Sequence, residues 1–265
     1  QTMLKFPYGL GNFYQLITEH YFYVDRTAQI RALEDAGNQL LFLRPRRFGK
    51  SLLMSMLENY YDVAKADEFD KLFGHLAIGA NPTPKHNQYW VMKWDFSNVS
   101  AAGEVRDIQR SLYIHLNGCI EQFQYHSQQS LNYQIMIDPT DAIRSFQSVL
   151  AAISQTPYRL YLLIDEYDKF ANEVLMASPV PSASRYPALV TGEGILRTVF
   201  SAVKSASQGR GLERVFITGV SPIVLSDLTS GYNVAENIYL RPEFNDLCGF
   251  REAELATVVE QLVHD

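Results

Sequence analysis

The chain has 265 residues, of which 47% are hydrophobic, and it carries 16 tyrosines and 15 phenylalanines. This content suffices for one large α/β domain, or for one domain and the beginning of another, and it excludes a disordered chain. The net charge of −6 and the pI near 5.5 argue against broad electrostatic binding to nucleic acid or to an anionic membrane.

The two cysteines, Cys119 and Cys248, fit a reducing compartment, and no Cys/His spacing in the sequence is typical of a zinc site. The N-terminal residues show no secretory signal, and no apolar run approaches the length of a membrane span. We therefore expect a soluble, cytoplasmic protein with no membrane partner.

The opening segment, residues 6–13, is rich in turns with interleaved aromatic side chains. The stretch Tyr23-Val24-Asp25-Arg26-Thr27 leads into an amphipathic helix with Ile30 and Leu33 on one face. Asp25 is placed to cap this helix.

A strand–loop–helix unit follows. Four large apolar residues, 40–43, predict a short buried strand, and the apolar spacing over 52–61 predicts a helix with one buried stripe. The turn between them ends in the tripeptide 49–51, Gly-Lys-Ser, which is the second half of the phosphate-binding pattern G-x-x-x-x-G-K-[ST].

The chemistry of such a loop is well defined. Backbone N–H groups of residues 47–51 would cradle phosphate oxygens at a helix N-terminus, Lys50 would add a positive charge, and the Ser51 hydroxyl would hold Mg²⁺. Arg44 stands where the pattern has its first glycine, and Pro45 restricts the loop. The predicted phosphate-binding residues are Arg46, Arg47, Phe48, Gly49, Lys50, Ser51 and Leu52.

A nucleotide bound there needs a surface for its base. The segment 1–39 precedes the loop, and Phe6, Pro7 or Tyr23 could pack against an adenine. For each of these residues an ordinary place in the hydrophobic core is the alternative.

The next strand, 89–94, ends in an acid, Asp95. This carboxylate could support a metal site or serve a structural hydrogen bond. Two amphipathic helices then precede a further buried strand, 160–164, which delivers Asp165 and Glu166 at its carboxyl end. Because ligands of open α/β sheets bind outside the carboxyl ends of the strands, we predict that Asp165 holds Mg²⁺ and that Glu166 polarises an attacking water.

The strand near 214–218 ends in hydroxyl groups. Thr218 or Ser221 could sense a γ-phosphate by hydrogen bonding the attacking water, or could simply satisfy a local turn. A short last strand is predicted at 238–240. Strands that alternate with helices predict an α/β fold, a mostly parallel five-stranded sheet between two helical layers. We assign 1–245 to this core and 246–265 to the start of a helical lid or of a linker to a further domain.

With these motifs in place, the sequence resembles the predicted AAA-ATPase-like family of P-loop proteins over roughly residues 4–255. The Arg at position 44, in place of glycine, is that family's own form of the loop. The stretches that carry the resemblance are Tyr23-Val24-Asp25-Arg26-Thr27, Phe42-Leu43-Arg44-Pro45-Arg46-Arg47-Phe48-Gly49-Lys50-Ser51, Leu163-Ile164-Asp165-Glu166-Tyr167-Asp168 and Phe216-Ile217-Thr218-Gly219-Val220-Ser221-Pro222.

The resemblance implies an ASCE-type ATPase that uses ATP and Mg²⁺. Lys50 and Ser51 would belong to Walker A, Asp165 and Glu166 to Walker B, and Thr218 to the sensor region. Members of the family often carry a PD-(D/E)xK nuclease-like domain after the ATPase. The chain contains no Glu-x-Lys triplet, so such a domain would lie beyond residue 265.

Other functions compete with hydrolysis of ATP. The protein could be an ATP-binding interaction module with negligible turnover, or a P-loop phosphotransferase that uses Asp95 or Asp165 as its base. GTP is disfavoured because neither Asn-Lys-x-Asp nor Thr-Lys-x-Asp occurs. An arginine that stabilises the transition state could be Arg197, Arg241, Arg251 or a residue of a neighbouring subunit in a homo-oligomer.

Overall fold

The structure is a computed structural model of the chain. It describes residues 5–7, 9–44, 49–100, 103–176, 185–219, 236–238, 241–248, 254–256, 259–260 and 263. None of the helices in these described ranges is long and apolar enough to cross a membrane.

A parallel sheet forms the centre of the molecule. In the described residues it has five strands in the spatial order β2-β3-β4-β1-β5, and every pairing is parallel. This confirms the predicted sheet. The strands are β1 Gln39–Leu43, β2 Tyr89–Asp95, β3 Arg159–Asp165, β4 Leu212–Gly219 and β5 Glu236–Asn237.

The last strand includes residues that precede the predicted ones. We expected it at 238–240, whereas Glu236 and Asn237 pair with β1, and 239–240 lie outside the described residues. Ile238 adds one more bond when its N–H donates to the carbonyl of Leu41 at 3.0 Å. The apolar side chain of Ile238 is buried, so hydrophobicity marked the neighbourhood of the strand but not its register.

Helices cover both faces of the sheet, as parallel strands with two buried faces require. Alternate strand residues enter two separate cores: Leu41 and Leu162 pack with α6, α7 and α9, whereas Phe42 and Leu163 pack with α1, α3 and α4. The helices are α1 Phe13–Thr18, α2 Gln29–Ala36, α3 Lys50–Tyr61, α4 Phe69–Phe73, α5 Ala77–Ala80, α6 Val105–Ser127, α7 Ala142–Ser154, α8 Tyr167–Met176 and α9 Arg185–Ser207.

Asp25 does not cap α2 as predicted, because this helix begins at Gln29 and has no side-chain cap. The Oδ1 atom of Asp25 instead accepts from the N–H and hydroxyl of Thr27 at 2.9 and 2.6 Å. Its Oδ2 atom accepts from the N–H of Ala77 at 2.7 Å, and the Thr27 hydroxyl accepts from the N–H of Ile78 at 3.1 Å. The pair therefore fastens the N-terminal segment to the start of α5.

This role predicts the effect of removing the carboxylate. We expect Asp25→Ala to lower the free energy of unfolding by about 1–3 kcal/mol, because the amides of Thr27 and Ala77 lose their acceptor. Asp25→Asn keeps one acceptor oxygen and should cost less. Urea unfolding provides the measurement, and Asp35→Ala, at an exposed position of α2, is the control. An Asp25→Ala protein as stable as the control would contradict this interpretation.

Candidate functional site

Gly49 begins the site because its backbone allows α3 to start directly after the loop. It is the N-cap residue of α3 with φ of 78°, in the left-handed region, and a Cβ added there would meet no atom within 4 Å. Glycine is thus required by backbone conformation and not by lack of space. Its carbonyl accepts the first bond of the helix, from the N–H of Leu53 at 3.0 Å.

The side chain of Lys50 is buried at the carboxyl edge of the sheet. Its Nζ donates to the carbonyl of Arg44 at 2.8 Å and to the carbonyl of Gly219 at 3.3 Å, so it joins the ends of β1 and β4. Burial lowers the pKa of this amine, and the negative charges of Asp165 and Glu166 act in the opposite direction. A cation held among acids at the start of a helix is suited to exchange its carbonyl partners for phosphate oxygens.

Arg44, which replaces the first glycine of the pattern, is accommodated without occupying the helix N-terminus. Its N–H donates to the carbonyl of Gly219 at 3.1 Å, which extends the β1–β4 ladder by one bond. Its guanidinium lies 4.8 Å from the centre of the Phe42 ring, and Nη2 donates to the carbonyl of Phe244 at 3.4 Å. The arginine therefore ties the end of β1 to the C-terminal segment.

The two predicted acids lie at the carboxyl end of β3, Asp165 as its last residue and Glu166 directly after it, and Thr218 of β4 lies beside them. The Thr218 hydroxyl donates to Oδ1 of Asp165 and accepts from the N–H of Glu166 at 3.4 Å. Both Thr218 and Asp165 are buried. Because β4 lies between β1 and β3, the end of β4 that carries Thr218 stands between the strand that leads to Lys50 and the strand that ends in Asp165.

Glu166 has an unusual backbone. Its φ is 53°, in the left-handed region that residues other than glycine rarely adopt. Here the chain turns from β3 into α8, which begins at Tyr167, and the carbonyl of Glu166 accepts from the N–H of Lys169 at 3.1 Å. Such conformations occur preferentially at functional sites, where neighbouring bonds hold them in place.

Two further residues at the site, Asp168 and Gly219, had no predicted role. Asp168 lies in the first turn of α8, is only 1% exposed, and its charge also acts on Lys50. Asp168 could have been predicted from the sequence because it lies three residues after Asp165, across a strand-to-helix turn. A Cβ on Gly219 would lie 2.5 Å from Cε1 of Tyr167, so the glycine lets this ring pack against the end of β4.

Magnesium suits the oxygen ligands available here. Ser51 is exposed at the start of α3 and offers a hydroxyl, and Asp165 offers a carboxylate at the end of β3. Mg²⁺ is commonly held by one or two carboxylates together with substrate phosphates and water. Within the described ranges, no group of three His, Cys, Asp or Glu side chains could hold a metal on its own. The residues present fit a metal that is bound together with a nucleotide.

The N-terminal segment packs along α3. A Cβ on Gly11 would lie 3.0 Å from the Cβ of Ser51, and the N–H of Phe13 donates to the Ser55 hydroxyl at 2.8 Å. Tyr23 packs edge-on to Phe13 with ring centres 5.7 Å apart, and burial raises its pKa. Tyr23 therefore packs in the hydrophobic core, which was the alternative to contact with a base. The backbone near Gly11 lies next to Ser51, the predicted magnesium ligand.

Several predicted residues lie elsewhere. Asp95 is at the end of the edge strand β2, three strand spacings or about 14 Å from β1. Its Oδ1 accepts a hydrogen bond from the N–H of Ser97 at 2.8 Å, so Asp95 takes the structural role that was the alternative to supporting a metal site.

The remaining predicted residues lie on other elements. Leu52 packs its side chain against the core, so only its backbone could bind a phosphate. Arg197 is exposed on α9, and Arg241 forms ion pairs with Glu236 and Glu243. The candidates Arg46, Arg47, Phe48, Ser221 and Arg251 lie outside the described residues.

Comparisons with known proteins find a matching family and a relative. A family model described as "Predicted AAA-ATPase" matches residues 7–229. A protein of Azotobacter chroococcum mcd 1, named "Uncharacterized protein in vnfD 5'region", is 26% identical over 257 residues. That match covers 96% of this chain and 44% of the relative, so the chain spans less than half of the relative's length. No solved structure matches the chain significantly.

The contribution of the Thr218 hydroxyl to stability can be tested by substitution. We expect Thr218→Val to lower the free energy of unfolding by about 1–3 kcal/mol, since Asp165 and the amide of Glu166 lose a buried partner at unchanged side-chain volume. Thr218→Ser keeps the hydroxyl and should recover most of the loss. A Thr218→Val protein as stable as the wild type in urea unfolding, beside a destabilised Thr218→Ser protein, would show that packing, and not the hydrogen bonds, is what Thr218 supplies.

The two thiols should be unreactive in the folded protein. Burial raises the pKa of Cys119, and it raises the pKa of Cys248 to about 12. At pH 8 we expect Cys248 to react with an aromatic disulfide reagent more than about a hundredfold more slowly than after unfolding in urea, because so little thiolate is present. Cys119→Ser and Cys248→Ser assign the two phases. Native Cys248 that reacts at the unfolded rate would contradict the burial.

Proposed function

We propose that this protein, which belongs to the predicted AAA-ATPase family, binds ATP together with Mg²⁺ and hydrolyses it. The observation that carries the proposal is the convergence of Lys50, Thr218, Asp165 and Glu166 at the carboxyl ends of three adjacent parallel strands. A buried amine at a helix N-terminus, facing a carboxylate that can hold a metal, is the arrangement that phosphoryl transfer requires.

Binding of the triphosphate would use the first turn of α3. Backbone N–H groups that follow Gly49 have no partner within the helix and favour an anion. The ammonium of Lys50 would exchange the carbonyls of Arg44 and Gly219 for charged oxygens of the β- and γ-phosphates, which form stronger hydrogen bonds than neutral carbonyls do.

The metal would be held by Ser51 and Asp165. When bound, Mg²⁺ neutralises charge on the phosphates and orients them for in-line attack. Thr218 keeps Asp165 in place through its hydroxyl and leaves the second carboxylate oxygen for a ligand. Asp168, buried one turn further along, adds negative charge near Lys50.

Glu166 is the proposed base. Its carboxylate would accept a hydrogen bond from the attacking water, orient it, and take its proton. The backbone N–H of Glu166 donates to the Thr218 hydroxyl, which fixes the start of the turn after β3. Thr218 therefore positions both Glu166, the proposed base, and Asp165, the proposed metal ligand.

The proposal extends to partners. We prefer a neighbouring subunit of a homo-oligomer to Arg241 as the source of the arginine that stabilises the transition state, because ion pairs already engage Arg241; Arg197 and Arg251 remain candidates within the chain. A relative more than twice as long as the matched region favours a nucleotide switch or motor that acts on a partner or on a downstream domain, for instance a nuclease-like one.

Release of phosphate from Mg²⁺ and ATP tests the function. We expect turnover by the wild type, loss of nucleotide binding in Lys50→Ala, and retained binding without turnover in Glu166→Gln, which keeps shape but loses the basic carboxylate. The loss in Glu166→Gln should be at least about a hundredfold. A rate per subunit that rises with protein concentration would support an arginine supplied in trans.

Two outcomes would change the conclusion. Equal ATP binding by wild type and Lys50→Ala would overturn the site. Binding that Lys50→Ala abolishes, with no turnover at any protein concentration, would favour the interaction module that binds ATP without hydrolysing it.

A further inference from the structure

An ion pair joins two distant parts of the chain next to the proposed nucleotide site. The Nη1 and Nη2 atoms of Arg26 donate to the two carboxylate oxygens of Glu254 at 2.9 and 2.7 Å. The Arg26 and Glu254 side chains are 9% and 20% exposed. Charges that are this well shielded pay a desolvation cost, so a bidentate pair is weak evidence for stability alone.

Arg26 belongs to the N-terminal segment that packs along α3. Its N–H donates to the hydroxyl of Tyr23 at 3.2 Å, and that hydroxyl lies 3.6 Å from Sδ of Met56. Nearer the start of the same helix, the backbone at Gly11 presses against Ser51. The segment that carries Arg26 therefore packs against α3, the helix whose N-terminus is proposed to bind phosphate.

The C-terminal segment also reaches the carboxyl end of β1. Phe244 is buried, and its carbonyl accepts from Arg44 at 3.4 Å. Burial raises the pKa of the Cys248 thiol, and the positive charges of Arg44, Lys50 and Arg26 act in the opposite direction. The charges of three cations from separate parts of the chain thus act on one half-buried thiol, and Arg44 contacts both Lys50, through its carbonyl, and Phe244.

A cluster of this kind has the chemistry of a polyphosphate site. A guanidinium offers its donors in a planar fork that matches a phosphate as well as it matches a carboxylate. Glu254 supplies Arg26 with two acceptor oxygens in the geometry that two oxygens of a phosphate group would supply. Two like-charged groups, Glu254 and a nucleotide phosphate, would compete for this one fork.

We propose that Arg26 is a phosphate-binding residue of the nucleotide site and that Glu254 is the internal competitor which holds it when no nucleotide is bound. This inference rests on the proposed binding of ATP and names a residue that the phosphate-binding pattern does not contain. Binding of the triphosphate exchanges the carboxylate for phosphate oxygens and releases Glu254, so the helical residues 254–256 report the nucleotide state to whatever follows them.

Opposite effects of the two partners on affinity test the proposal. With a non-hydrolysable ATP analogue and Mg²⁺ in titration calorimetry, we expect Arg26→Gln to weaken binding about tenfold or more. Glu254→Gln should tighten binding roughly threefold or more, because the arginine no longer has to leave a carboxylate. The double variant should bind like Arg26→Gln. Glu19→Gln, which makes the same charge change in the exposed pair with Lys5, should have no effect.

A structural ion pair would behave differently. Equal weakening by Arg26→Gln and Glu254→Gln, or no change in either, would overturn the assignment while ATP binding that depends on Lys50 still stood. Absence of binding by the wild type would overturn the proposed function and this inference together. Thermal unfolding of each variant shows which are folded. If Arg26→Gln is unfolded, Arg26→Lys replaces it: this variant keeps the positive charge without the planar fork of donors and should weaken binding. Glu254→Gln still shows whether loss of the carboxylate tightens or weakens nucleotide binding.

Discussion

The ammonium of Lys50 needs oxygen partners because it is buried, and this requirement organises the carboxyl edge of the sheet. Two carbonyls supply them, from Arg44 after β1 and from Gly219 at the end of β4. Both carbonyls are available only because β1 and β4 are neighbours in register, Leu43 beside Gly219. The acids that follow β3 then face a fixed positive charge. Strand order, lysine position and acid position thus depend on one another.

Much of this arrangement was predictable from local patterns. Apolar runs marked four of the five strands to within two residues at each end, and acids or hydroxyls at their carboxyl ends marked the site. Lys50 was predicted from the Gly-Lys-Ser tripeptide between an apolar strand and a helix, and Asp165, Glu166 and Thr218 were predicted because each ends or directly follows an apolar run. In a parallel sheet those ends lie at one edge, so chain position alone brings the groups together.

Features that depend on long-range geometry were not predictable. The edge pairing of β5 is decided by two polar residues, Glu236 and Asn237, that carry no strand signal. Asp25 has the look of a helix cap, yet its second oxygen reaches Ala77, because the packing of α5 competes with the local cap. The Arg26–Glu254 pair spans 228 residues, and no local pattern connects its members.

The position of β1 in the sheet has a consequence for how the protein is made. Both of its neighbours, β4 and β5, come later in the chain, at residues 212–219 and 236–237. While a ribosome synthesises the protein, β2 and β3 can pair early, but the apolar strand that leads to Lys50 has no native partner until most of the chain has emerged. An unpaired, hydrophobic strand is prone to misassociation and slow to find distant partners. Nascent chains of this protein should therefore be good clients for chaperones, and a chain that ends before β4 would keep Lys50 apart from Asp165 and Glu166.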